Sequence, residues 1–187
     1  NGRGKKQWKD FELVKEKDYF ELWNRYSALE NIYYHKIPAN IRNDLFEFTT
    51  QHVARPHNVN DREIYCLAIR QWYEKKKQLD YSKIPSHLQT YNNKKSFLDR
   101  YSVVNPDGCS HTVVAHLSKD GHYYIYPTPN PTVETARSIT VREAARLQSF
   151  PDDYFFEGSR GAAFKQIGNA VPVVLAYKIA KELKKQL

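Results

Sequence analysis

Three observations predict an α+β chain. Apolar and aromatic residues recur at helical intervals through the first half; two β-branched and aromatic runs then meet across an Asp-Gly pair; and residues 137–187 hold two sharply punctuated helical stretches. Residues 17–34, "KDYFELWNRYSALENIYY", place Phe20, Trp23, Tyr26 or Ser27, and Ile32 at roughly helical spacing, which predicts an aromatic-rich amphipathic helix. Pro38 opens a second, shorter one, "PANIRNDLFEF". A third runs from Asp61, "DREIYCLAIRQWYEKKKQ", with Ile64, Leu67, Ala68 and Trp72 on one face and a lysine tail where cations complement the helix dipole. Residues 78–110 are rich in Asn, Ser, Pro and Lys and read as irregular.

The pattern changes after residue 110. "HTVVAHL" and "HYYIY", separated by "SKDG", predict a β-hairpin over 111–126, because Asp120-Gly121 suits a tight two-residue turn. In "ITVREAARLQSFP", Thr140 is placed to cap a helix and Glu143 to reach back to the Thr140 amide. Pro151 ends that helix, since the residue before a proline is pushed out of the α region, so its span is 140–149. The last helix begins at Pro172, whose fixed φ suits a first helical position. Ala176, Ile179, Ala180, Leu183 and Leu187 share one face, with Lys178, Lys181, Lys184 and Lys185 off it.

Composition narrows the function. With 27% charged and 41% hydrophobic residues, and no run of bilayer length, the chain reads as soluble, with no membrane partner. A net charge of +8 favours a polyanionic partner, and 14% aromatic residues supply flat surfaces for sugars and bases. Cys66 and Cys109 stand far apart without a CxxC pattern or a secretory signal, which points to a reducing cytoplasm.

A self-sufficient active site is not evident. The seven glycines form no GxGxxG or similar phosphate cradle, so a nucleotide-type cofactor site is incomplete. His111 and His116, five apart on the predicted strand, point to opposite faces, and no metal site is expected from them or from His52, His57 and His122. Cys66 lies in an apolar helix face and reads as a small buried hydrophobe; Cys109 lacks the orienting third group that a nucleophile requires. "HVARPHNVNDRE", residues 52–63, gathers Arg55, Arg62, His52 and His57 in a turn-forming stretch, either a solvated loop or a set of phosphate contacts.

Residues 137–176, "RSITVREAARLQSFPDDYFFEGSRGAAFKQIGNAVPVVLA", go beyond two capped helices and a loop. "TVREAARLQSFPDDY" and "FKQIGNAVP" resemble the ninth and tenth conserved blocks of the DNA cytosine-5 methyltransferase family. "SFLDRYSVV" and "SHTVVAHLSKDGHYYIYP" are similar to the end of that family's target recognition domain, and "HVARPHNVNDREIY" resembles one subgroup's recognition region. The likeness is strong over about 90 C-terminal residues and looser upstream.

The resemblance implies a target recognition region over 1–136 and a C-terminal segment over 137–187 whose helices would complete an α/β Rossmann-like methyltransferase domain that uses S-adenosylmethionine. In the family a Pro-Cys-Gln cysteine attacks a flipped cytosine and a Glu-Asn-Val glutamate assists. Neither cysteine here stands in that setting, and Glu30-Asn31-Ile32 is only an echo of the glutamate block, so no catalytic residue is assigned. The matched positions imply cofactor contact for Gly168, Asn169 and Ala170, with Gly168 allowing a tight backbone turn and the Asn169 amide donating and accepting. They imply phosphate contact for Thr112, and Arg55, Arg62, His116 and Lys119 are also expected to bind DNA. Arg142 and Arg146 match arginines that organise the recognition domain against the catalytic one, with internal salt bridges as the plainer alternative. Lys165 and Gln166 are expected to fix the turn.

The expected partners are therefore duplex DNA and a catalytic portion, in the same longer chain or as a separate subunit. The expected setting is restriction-modification in a prokaryotic cytoplasm, on the nucleoid, with the isolated chain inactive. The alternative is a non-enzymatic DNA-binding module in which "TVREAARLQSF" reads a groove. A nuclease is disfavoured because no paired acidic cluster with an adjacent lysine stands out.

Overall fold

The structure is a computed structural model that describes residues 49–91 and 96–186. The helices expected over 17–34 and from Pro38, and the Glu30-Asn31-Ile32 echo, lie outside the described residues. Within them the chain forms helix α1 (Val59–Lys75), three short 3-10 turns (Tyr81–Lys83, Ser86–Leu88 and Ala115–Ser118), and helices α2 (Val141–Leu147), α3 (Arg160–Asn169) and α4 (Val173–Lys184). No helix among the described residues is long and apolar enough to cross a membrane.

Helix α1 starts because the Asn58 side chain accepts the Asp61 amide at 2.8 Å. It stops at Lys76, which turns left-handed (φ 52°) and gives its amide to the Trp72 carbonyl at 2.8 Å. Its buried stripe is broader than the sequence predicts: Tyr65, Cys66 and Ile69 join Ile64 and Ala68, while Leu67 and Trp72 pack only partly. The partners are Leu79, Tyr81, Ile84, Leu88, Tyr101, Val103, Ile125 and Ala136.

The stretch 78–110 is irregular, as expected, yet single side chains specify its course. The Gln78 amide exchanges two bonds with the Val103 backbone (2.9 and 2.8 Å), and the Tyr91 amide donates to the Tyr81 hydroxyl at 2.8 Å. Tyr81 stacks on Tyr101 at 5.8 Å, and the Arg100 guanidinium lies 4.5 Å from the Tyr81 ring.

The predicted hairpin over 111–126 is not what the chain forms. Residues 111–114 run without ladder partners into the 115–118 turn, and the Tyr124 hydroxyl, rather than a backbone ladder, ties them down. That hydroxyl donates to the Thr112 carbonyl at 2.8 Å and receives the Val114 amide at 3.1 Å. Ile125 does pair, but with distant segments: parallel to Val103 and antiparallel to Ser138. Gly121 explains the misreading. A Cβ there would lie 2.2 Å from the Ser138 side chain, so its glycine is required by packing against a remote segment rather than by a hairpin turn.

A second core gathers Val104, Val113, Leu117, Tyr124, Ile139, Val141, Ala144, Ala145, Phe150 and Phe156 with Ala163, Phe164 and Ile167 of α3. Helix α2 carries the predicted capping box: the Glu143 amide donates to Thr140 Oγ1 at 3.2 Å, and the Thr140 amide to Glu143 Oε2 at 2.7 Å. Helix α4 departs in its start and in its surroundings. Pro172 stands at its cap position, one residue ahead of the helix, and every residue from 175 to 186 is exposed. The apolar face expected there, including Ile179 and Leu183, buries no residue and stays exposed.

Candidate functional site

Helix α3 begins where Ser159 Oγ accepts the Ala162 amide at 3.3 Å, and it carries the "FKQIGNA" stretch at its C-terminal end. Gly168 is therefore helical, not a tight turn as the sequence reading has it. Its reason is close approach: a Cβ would lie 2.4 Å from the Val114 carbonyl carbon and 2.5 Å from the Ala115 nitrogen. Any side chain would force the helix off the 114–115 backbone. Asn169 closes the helix with its side chain exposed and without a hydrogen-bond partner among the described residues. Lys165 and Gln166 are also exposed, and the Gln166 amide reaches the Glu157 carbonyl at 2.9 Å.

Gln148, which the sequence reading did not single out, fixes this end. Its buried side-chain amide nitrogen donates to the Ile167 carbonyl at 3.0 Å and to the Ala170 carbonyl at 3.1 Å, and its backbone carbonyl accepts the Val173 amide at 3.1 Å. The Ala170 amide is committed to Ile167 at 3.2 Å. Of the three expected cofactor residues, Gly168 is absorbed by packing and the polar groups of Ala170 are occupied. The Asn169 amide remains, a donor and acceptor together, and that donor set suits an α-amino acid end such as that of S-adenosylmethionine.

The residues expected to meet DNA fall on nearby elements, with one exception. Arg55 turns inward: its guanidinium lies 4.8 Å from the centre of the Phe164 ring and bonds the Leu117 carbonyl, while its buried Nη1 has no partner among the described residues. Burial, and next the charge of Arg160, pull Arg55 below the ordinary guanidinium range. His116 and Lys119 stand exposed on and just after the 115–118 turn, and Thr112 is exposed at the other side of it. Arg62 is the exception, half-buried near the start of α1.

His57 is not a phosphate-facing group. The Ser138 amide donates to its Nε2 at 3.2 Å, so the proton resides on Nδ1, which faces the Tyr65 hydroxyl at 3.3 Å; that hydroxyl then donates to His122 Nδ1 at 2.9 Å. Ser138 Oγ adds a contact at 3.0 Å. This one-directional chain needs both imidazoles neutral. Burial and the Arg55 charge push His57 down to about 4, and burial also lowers His122. Sequence offers no signal for the network, because its members come from four segments brought together only by the fold.

Arg142 is fully buried and bonded to uncharged oxygens: the Thr50 carbonyl (3.1 Å) and hydroxyl (2.9 Å), the Pro151 carbonyl (3.1 Å) and the Tyr154 carbonyl (2.8 Å). It ties residue 50 to the loop after α2. Arg146 forms a forked pair with Asp152 at 2.8 and 3.0 Å. Glu143 is gripped the same way by Arg137 (2.7 and 2.8 Å). Burial would raise its carboxyl, but the Arg137 charge and hydrogen bonds, the charge of His52 and the Thr140 amide outweigh it and hold it at about 2. Cys66 is buried and Cys109 exposed, and no group of three or more His, Cys, Asp or Glu suited to a metal occurs among the described residues.

A family model described as C-5 cytosine-specific DNA methylase matches residues 3–185. A type II methyltransferase of Bacillus paralicheniformis is 49% identical over 144 residues, which is 77% of this chain and 31% of that protein. One of Thalassovita gelatinovora is 40% identical over 100 residues, 54% of this chain and 22% of the relative. One of Escherichia coli is 54% identical over 50 residues, 27% and 12% respectively. The chain thus spans less than a third of the length of each of these relatives.

Proposed function

Because the chain belongs to the C-5 cytosine-specific DNA methylase family, we propose that it is the target recognition region and C-terminal closing segment of a type II DNA cytosine-5 methyltransferase. In this reading it engages duplex DNA, contributes Asn169 to an S-adenosylmethionine site shared with a catalytic portion, and packs α4 against that portion. The type II naming of the relatives fits a restriction-modification setting. The observation that carries the reading is the junction at Gly168. It fits the end of α3, with its free Asn169 amide, directly onto the segment that bears Thr112, His116 and Lys119, so cofactor-side and DNA-side residues share one rigid contact.

S-adenosylmethionine would supply the methyl group; this chain's part is to orient and enclose. Asn169 would hold the amino acid end, and Gly168 would keep that amide in place by leaving no room between α3 and the 114–115 backbone. The exposed apolar face of α4, with Val173, Leu175, Ile179 and Leu183, supports docking on the catalytic portion, whose burial of that face would exclude water from the shared pocket.

The test is reconstitution. The chain alone transfers no methyl group to cytosine, and transfer appears when a portion carrying the Pro-Cys-Gln and Glu-Asn-Val blocks is joined or mixed. Asn169→Ala in the reassembled enzyme weakens S-adenosylmethionine binding by roughly tenfold to a hundredfold, the loss of one hydrogen bond to a charged group, and leaves duplex binding unchanged. Methyl transfer by the pure chain would overturn the proposal, and equal loss of both affinities would favour a DNA-binding module without an enzymatic role.

A further inference from the structure

We propose that Tyr124 is a positioning residue for DNA binding: its buried hydroxyl holds residues 112–114 in place and so presents the Thr112 hydroxyl to a backbone phosphate of the duplex. The inference rests on the reading that Thr112 meets DNA, and it adds the residue on which that contact depends.

The segment has the form of a strand but lacks a strand's partner. Val114 is extended (φ −121°, ψ 160°), and burial alternates along the chain: Thr112 is exposed, Val113 lies in the second core, and Val114 is exposed again. Yet no backbone pairs with residues 111–113 among the described residues. One side chain stands in for the missing ladder. The Tyr124 hydroxyl donates to the Thr112 carbonyl at 2.8 Å and accepts the Val114 amide at 3.1 Å, the two groups flanking Val113 that a neighbouring strand would otherwise engage.

The ring that carries this hydroxyl is itself fixed. It is 2% exposed, in one core with Val104, Val113 and Leu117. The backbone around it is paired, the Tyr124 amide donating to the Gly121 carbonyl and the Ile139 amide to the Tyr124 carbonyl, both at 2.9 Å. His111 stacks on the same ring at 4.7 Å. Thr112 is thus anchored before, at and after its own position, while its side chain is exposed and its hydroxyl makes no hydrogen bond among the described residues. A hydroxyl offers a single donor, so its use to a phosphate oxygen depends on where the backbone aims it. A segment already held in place spares the duplex the cost of ordering it. Both bonds of the Tyr124 hydroxyl are only partly buried, so water can replace it when it is removed, and the segment then loosens while Val113 and the ring stay in the core.

The test is a double-mutant cycle on the enzyme that carries this chain, with Tyr124→Phe, Thr112→Val and both together, read as duplex affinity over a KCl series and as S-adenosylmethionine affinity. Each change keeps the shape of the side chain. Thr112→Val is expected to weaken duplex binding roughly tenfold to a hundredfold, the loss of one hydrogen bond to a charged group. Tyr124→Phe loses a large part of the same affinity, and the double variant loses no more than Thr112→Val alone. The slope of log affinity against log salt is unchanged throughout, because no cation is removed, and S-adenosylmethionine affinity stays the same. Losses that multiply in the double variant overturn the positioning role, as does unaltered duplex binding by Tyr124→Phe. A lower salt slope in Tyr124→Phe overturns it by assigning the hydroxyl to the placing of a cation, and an equal fall in S-adenosylmethionine affinity overturns it by assigning the hydroxyl to the packing of the core. Unaltered duplex binding by Thr112→Val overturns the underlying reading that Thr112 meets DNA, a result distinct from the others.

Discussion

Helices α1 and α4 are built from similar material and end in opposite situations. Both carry apolar residues at helical spacing and lysines at their C-terminal ends. Yet α1 sinks Ile64, Tyr65, Cys66, Ala68 and Ile69 into a core, while α4 buries nothing. The difference lies in partners. Helix α1 faces Tyr81, Tyr101 and Val103, supplied by this chain, whereas α4 presents Leu175, Ile179 and Leu183 to solvent at about half their full exposure. An amphipathic pattern thus tells which face a helix is meant to bury, but not which molecule covers it.

Three experiments probe that contrast. The largest effect is expected from Arg142→Ala, which removes a fully buried cation and strands the Thr50, Pro151 and Tyr154 carbonyls. A loss of about 3–5 kcal/mol in urea unfolding is expected; a loss below about 1 kcal/mol would show that this grip is dispensable. Next, Ile69→Ala on α1 should cost about 2–5 kcal/mol, and Ile179→Ala on α4 less than about 0.5 kcal/mol in the chain alone. On the proposed docking of α4, its change instead weakens association with a catalytic portion in a binding titration. Comparable stability losses from the two helices would erase the contrast.

Acidity gives the most graded effect. His57 sits at about 4 in the folded chain against an ordinary 6.5, so the unfolded chain takes up its proton first and stability falls as pH drops from about 6.5 to about 4. Glu143, at about 2 against an ordinary 4.5, contributes fully above 4.5 and loses its contribution as pH falls through about 2. Urea midpoints at pH 7, 5 and 3 should decline in two stages. Replacing His57 by Gln should flatten the first stage alone, and a midpoint unmoved between pH 7 and 5 would contradict the neutral imidazole chain.

The sequence was legible where cause and effect lie within one helical turn. Thr140 with Glu143 announced α2, and the apolar spacing from Asp61 announced α1. It misled at the glycines. Gly121 looked like a hairpin turn and Gly168 like a tight backbone turn, yet one answers to Ser138 and the other to Val114 and Ala115, contacts that no local pattern encodes. The candidate site divides the same way. Asn169 is a candidate on its motif alone, whereas the inward turn of Arg55, the committed state of His57 and the role of Gln148 depend on residues far along the chain.

Gln148 carries one more consequence. The join between α3 and α4 has no left-handed residue: the Gln148 side-chain amide takes the Ile167 and Ala170 carbonyls, while the Gln148 backbone carbonyl and Ser149 Oγ take the first amides of α4. The position of Asn169 is therefore set by a buried residue on another segment, as the pitch of a string is set by a peg at its far end. Alignment of this exposed amide is decided inside the core, and a cavity or a lost hydrogen bond there would shift Asn169 while leaving its own side chain chemically intact.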